Sequence, residues 1–105
     1  MTRRADHQAT AAARLDALPN LGPKSCAMLQ RCGIHTPRQL RRLGAVAAFG
    51  RVRRTEPRAS LNLLWALEGA LSGLAWQEVA RQHRTSLLLA LEDHERRRAV
   101  AGDGG

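Results

Sequence analysis

Between Leu61 and Leu74 the chain places Leu63, Leu64, Leu67, Ala70, Leu71 and Leu74 on a helical stripe, and the stripe is too wide for a helix with one wet face. A helix of this kind is central, and the others must wrap it. Only Phe49, Trp65 and Trp76 are aromatic, so the core is built from Leu, Ala and Val, which fill helix interfaces more naturally than a sheet. A chain of 105 residues buries one core without needing disulfides or a metal. The expectation is a compact, all-α domain of five to six helices. The longest apolar stretches, Leu61 to Leu67 and Leu87 to Leu91, fall far short of the roughly 20 residues a bilayer needs. The stretch from Met1 to Arg14 has no apolar core of signal-peptide length. No membrane partner and a cytoplasmic location are expected.

Proline and glycine set the boundaries of the other helices. Ala5 to Ala17 reads as a weakly amphipathic first helix with a fraying start, broken by Leu18-Pro19-Asn20-Leu21-Gly22, where Pro cannot continue a helix and Asn and Gly tolerate unusual turns. Pro23 suits the first position of the next helix, Gly33 its end, and Ile34 the apolar residue folded back over it. Thr36 as N-cap and Pro37 open a third helix that stops at Gly44. A fourth runs from Ala45 to about Arg53, Ser60 caps the central one from Leu61 to Leu71, a short one spans Trp76 to about His83, and Thr85 or Ser86 caps a last one from Leu87. This gives a helical extension over 1–14, a domain over 15–98 and a disordered tail over 99–105. The expected core is Leu21, Leu29, Leu40, Leu43, Val46, Phe49, Leu64, Leu67 and Leu71. The pattern L-x-x-L-G recurs at Leu18 to Gly22 and Leu40 to Gly44, as a pair of helix hairpins, or chance, would produce.

The net charge of +8 is local. Lys24, Arg31, Arg38, Arg41, Arg42, Arg51, Arg53, Arg54 and Arg58 face a single acid in their segment, Glu56, and the remainder of the chain sums to zero. A basic face able to meet phosphates follows. Cys26 and Cys32 lie six residues apart in one expected helix, about 9 Å along its axis, which exceeds the span of a disulfide. Free thiols are expected. With His7, His35, His83 and His94 they match no zinc spacing. No nucleophile triad, glycine-rich nucleotide loop or carboxylate pair is suggested, so no metal, cofactor, small-molecule substrate or enzymatic activity is expected.

The segment from Leu18 through Leu40 resembles a helix-hairpin-helix, in which a tight turn leads into a helix whose first N–H groups and positive dipole end hold a phosphate oxygen. Carried over, Gly22 lets the backbone approach, while the Lys24 and Ser25 N–H groups, the Ser25 hydroxyl and the Lys24 ammonium converge on one phosphate. Asn20 stands where that motif usually has glycine, adopting the required conformation but adding a side chain near the ligand. With Asn20, Gly22, Lys24 and Ser25, the arginines of the following helices, Arg31, Arg38, Arg41 and Arg42, are expected to complete one DNA-phosphate face.

Taken with Gly33-Ile34-His35-Thr36, Leu43-Gly44-Ala45, the run Leu61-Asn62-Leu63-Leu64-Trp65-Ala66-Leu67-Glu68-Gly69-Ala70 and Trp76, this segment resembles the C-terminal domain of TfoX/Sxy competence regulators over about Leu15 to Leu91. The resemblance implies a role in natural DNA competence, in a family whose members usually carry a separate N-terminal domain that this chain lacks; a stand-alone domain then has a related but different job. The expected function is a non-enzymatic regulatory module that contacts double-stranded DNA through its backbone, without base readout, together with a protein partner in transcription regulation. Helix-hairpin-helix units and domains of SAM-like packing also serve as protein-binding modules. The alternative is therefore a domain that contacts transcription machinery and never touches DNA, with Trp65 and Gly69 as a shallow indole-lined contact face, unless they simply pack Trp76.

Overall fold

The structure is a computed structural model and describes residues 14–104, with side chains through residue 100. Among these residues it is all-α. A 3-10 turn at Leu15–Ala17 precedes α1 (Pro23–Arg31), α2 (Pro37–Leu43), α3 (Ala45–Thr55), α4 (Leu61–Ser72), α5 (Trp76–Gln82) and α6 (Arg84–Gly104). Most of the expected first helix, Ala5 to Ala17, lies outside the described residues. Its last three residues form the 3-10 turn instead of α-helix, because the Leu18 N–H bonds back only to the Leu15 carbonyl before the chain extends toward Pro19.

The ends of α1 and α2 follow the local chemistry of the sequence. Pro23 opens α1 after the extended Gly22. At its other end the Ile34 N–H donates to the Leu29 carbonyl at 2.9 Å and the Gly33 N–H to the Gln30 carbonyl at 3.1 Å, with Gly33 at φ +90°. This Schellman closure folds Ile34 over the helix end, where it is fully buried. Thr36 opens α2 with a capping box: its hydroxyl accepts from the Gln39 N–H, and the Gln39 side chain accepts from the Thr36 and His35 N–H groups.

Helices α3 and α4 form the centre. In α4, Leu63 through Leu67, Gly69 and Ala70 are all buried, as the width of its apolar stripe requires. Helix α4 packs on α3 and α5, and α3 in turn packs on α1, α2 and α6. Phe49, Val52, Leu29, Leu40, Leu64, Leu67 and Val79 are shut off from solvent. Of the expected core, Leu43, Val46 and Leu71 are only half-buried, packed against its edge. Val46 yields its place to the smaller Ala45 and Ala48, which let α3 lie close to its neighbours. Gly50 serves the same purpose toward α6, since a Cβ there would meet the His94 ring at 3.0 Å.

The last helix begins earlier than expected. Only His83 separates Arg84 from α5, the Leu87 N–H donates to the His83 carbonyl, and the Ser86 hydroxyl donates to that same carbonyl, so neither Thr85 nor Ser86 acts as N-cap. At the other end α6 continues to Gly104, through residues expected as tail.

Candidate nucleic-acid interface

The start of α1, the α3–α4 connection and the starts of α4 and α5 border one open groove of about 590 Å³. Helix α1 contributes Lys24, Ser25 and Met28, the connection contributes Arg58 and Ser60, and Leu63, Ala66 and Trp76 supply apolar surface. Neither Gly22 nor Ser60 caps its helix with a side-chain hydrogen bond. The first N–H groups of α1 and α4, including those of Lys24 and Ser25, are thus outside the intrahelical ladder and carry the positive end of the helix dipole.

Charge around the groove is set by one ion pair. Glu56, the lone acid between Lys24 and Arg58, is held by the Arg31 guanidinium at 2.7 Å. This pair is largely exposed and contributes little to stability, but it leaves Lys24 and Arg58 as exposed cations with their local acid already neutralised. Arg53 is directed elsewhere: its guanidinium lies 4.9 Å from the centre of the Phe49 ring and 3.8 Å from Glu95 of α6.

The residues expected to meet phosphate are divided by the fold. Lys24 is exposed and Ser25 half-buried at the groove, with Gly22 exposed beside them. Arg38, Arg41 and Arg42 are exposed on α2. Arg42 and Arg51 border a depression of about 180 Å³ next to Gly33 and Ile34, at the opposite end of α1 from Lys24, about 13 Å away along the helix axis at 1.5 Å per residue. Lys24 and Arg58 thus border one groove, Arg42 and Arg51 form a second basic cluster, and Arg31 is paired with Glu56.

Asn20 is taken up by the fold. It has the expected left-handed backbone, φ +71°, and it lines the groove with its side-chain amide engaged by the fold: Nδ2 donates to the Leu74 carbonyl at 2.8 Å, and Oδ1 accepts from the Trp76 N–H at 3.2 Å. The alternative contact face is corrected in the same way. Trp65 is 5% exposed and Gly69 is buried, because the Asn20 amide and the Leu74 carbonyl sit directly on Gly69. The exposed indole is Trp76, at 37%. Sequence reasoning missed Trp76 and Arg58 as site residues, although one signal was present: Trp65 lies inside an unbroken apolar run, whereas Trp76 opens a short helix after Ser72-Gly73.

Both cysteines are free; Cys26 is buried and Cys32 half-buried, and burial pushes both thiols up from their ordinary range. Among the described residues no group of His, Cys, Asp and Glu is placed to hold a metal, and no helix is long and apolar enough to cross a membrane.

Residues 11–91 match the family model of the TfoX C-terminal domain. Two solved structures are similar, both of uncharacterised proteins from Listeria monocytogenes. A triclinic form is 31% identical with a TM-score of 0.69, covering 79% of this chain and 94% of its own. A tetragonal form is also 31% identical, with a TM-score of 0.63 and coverages of 73% and 99%. No curated protein matches.

Proposed function

The chain belongs to the TfoX C-terminal domain family, and from that premise we propose that it is a non-enzymatic, DNA-associated regulatory module connected with natural competence. It contacts the backbone of double-stranded DNA through Gly22, Lys24 and Ser25 at the start of α1 and through Arg38, Arg41 and Arg42 on α2. The observation that carries this reading is the location of the charge. The whole net +8 falls between Lys24 and Arg58, Lys24, Arg38, Arg41, Arg42 and Arg58 are exposed, and the one acid among them is paired with Arg31. Phosphate contacts position a protein without reading sequence, so a regulatory role implies a protein partner that supplies the promoter choice.

The test is the salt dependence of duplex binding by the purified chain. Affinity should be insensitive to sequence and fall with salt at a log–log slope of about −0.9 per phosphate neutralised. Lys24→Ala should flatten that slope by about one unit, whereas Arg97→Ala, on α6 and paired with Asp93, should leave it alone. Unchanged affinity and slope in Lys24→Ala and in an Arg41→Glu/Arg42→Glu double variant would refute the DNA reading.

A further inference from the structure

The groove beside α1 differs from the second basic cluster in one respect: it combines cations with an exposed aromatic ring. Arg42 and Arg51 border a depression lined by Gly33, Ile34 and Leu43, with no aromatic side chain. Lys24 and Arg58 border a groove that also contains Trp76. Trp76 is the most exposed of the aromatic residues, Phe49 being fully buried and Trp65 nearly so. Its backbone is fixed, because its N–H is held by Asn20 Oδ1 and the Asn20 amide is itself anchored on Leu74. An indole 37% exposed to water has forgone part of the burial that otherwise stabilises so large a ring, and here it does so on a preorganised backbone.

We propose that this groove binds single-stranded DNA, with an unpaired base stacked on the Trp76 indole and the adjoining phosphates held by Lys24 and Arg58. The proposal rests on the reading of the chain as a DNA-phosphate binder and narrows it, for this groove, to one kind of strand. Charge and size select the occupant. Lys24, Arg58 and Glu56 all line the groove, and because Glu56 is paired with Arg31 just outside it the two cations are left in excess, which favours an anion. The groove is open and holds about 590 Å³, space of the order that seats a nucleotide-sized group. A base within a duplex is stacked on both faces and has none to offer. Aromatic platforms flanked by basic residues are the general means of holding single strands, and they tolerate any sequence because every base has a π-face. Met28, Leu63 and Ala66 give the floor an apolar surface against which the edge of a base can rest. Lys24 belongs to both modes, so a single strand and a duplex should compete for the chain.

The experiment titrates the full chain with a thymidine oligonucleotide and with a duplex of equal length, following tryptophan fluorescence and affinity together. The chain has two tryptophans, and only Trp76 is accessible to a base. The single strand should quench it, and the duplex should bind without comparable quenching. Trp76→Ala should weaken single-strand binding by roughly 5- to 150-fold, the range that base–aromatic stacking covers, and leave duplex affinity where it was. Trp76→Phe should restore part of the loss, which also shows that the variants fold. Lys24→Ala/Arg58→Ala should weaken the single strand with a smaller salt slope. Duplex binding without quenching by the single strand, or Trp76→Ala equal to the parent on both ligands, overturns the groove proposal and leaves the duplex reading standing. Binding of neither DNA overturns both. Quenching by a glutamate-rich peptide but not by the oligonucleotide would make the groove a docking site for an acidic protein segment, and that too overturns the proposal.

Discussion

The side-chain amide of Asn20 donates to the carbonyl of Leu74 at 2.8 Å, across 54 residues of sequence. With the Trp76 N–H received at 3.2 Å, one side chain ties the turn before α1 to the connection between α4 and α5. Asn20 meets the demand of its turn for positive φ and satisfies two backbone groups that glycine would leave without these partners.

Substitution at Asn20 should separate those two roles. Asn20→Gly keeps the left-handed turn and loses the hydrogen bonds, at about 1 kcal/mol each, so a loss of about 1–3 kcal/mol is expected. Asn20→Ala adds the cost of placing a Cβ in the left-handed region, about 1–2 kcal/mol more. Urea denaturation should rank the parent first, then Gly, then Ala. Equal midpoints for parent and Gly would mean that the hydrogen bonds contribute nothing.

Gly69 lies under the same contact. A Cβ there would sit 2.5 Å from the Leu74 carbonyl oxygen and 2.6 Å from Asn20 Nδ2, and the first of these is backbone and cannot swing aside. Gly69→Ala should destabilise the domain by about 1–3 kcal/mol, in spite of the better helix propensity of alanine. Thermal or urea unfolding reads the sign directly.

Leu67 is fully buried in α4. Leu67→Ala should cost roughly 2–5 kcal/mol, lowering the urea midpoint with m unchanged. A midpoint equal to that of the parent would remove Leu67 from the core.

The thiols give a pH dependence. Burial pushes Cys26 up, helped by the charge of Asp16; burial also pushes Cys32 up, opposed by Arg51 and Arg54. A raised pKa means that the native state keeps its protons longer than the unfolded chain. The associated stability is complete below the unfolded thiol value of about 8.5 and is lost as pH rises through the native values. Urea midpoints should therefore fall on the alkaline side, and less so in a Cys26→Ala/Cys32→Ala variant compared with its own value at neutral pH. Thiol titration of denatured, unreduced protein should find both groups, and in native protein Cys32 should react before the more buried Cys26.

The sequence by itself determined the helical class, the central place of α4 and the closures at Gly33 and Thr36. It could do so because these depend on residues within one or two turns of each other: a Schellman glycine, a capping box and an apolar stripe are complete in a few consecutive positions. It also located the positive charge along the chain. Only the tertiary structure decided what that charge can face, since the pairing of Arg31 with Glu56 joins positions 25 residues apart and α1 separates Lys24 from Arg42. The two indoles illustrate the same division. Trp65 and Trp76 are the same residue type on neighbouring helices, but which one meets water depends on how α5 packs against α4, where Val79 is fully buried and Asn20 bonds to Leu74 and Trp76. Local preferences are short-ranged and legible in order along the chain, whereas exposure is a property of packing between distant segments, which no single stretch of sequence contains.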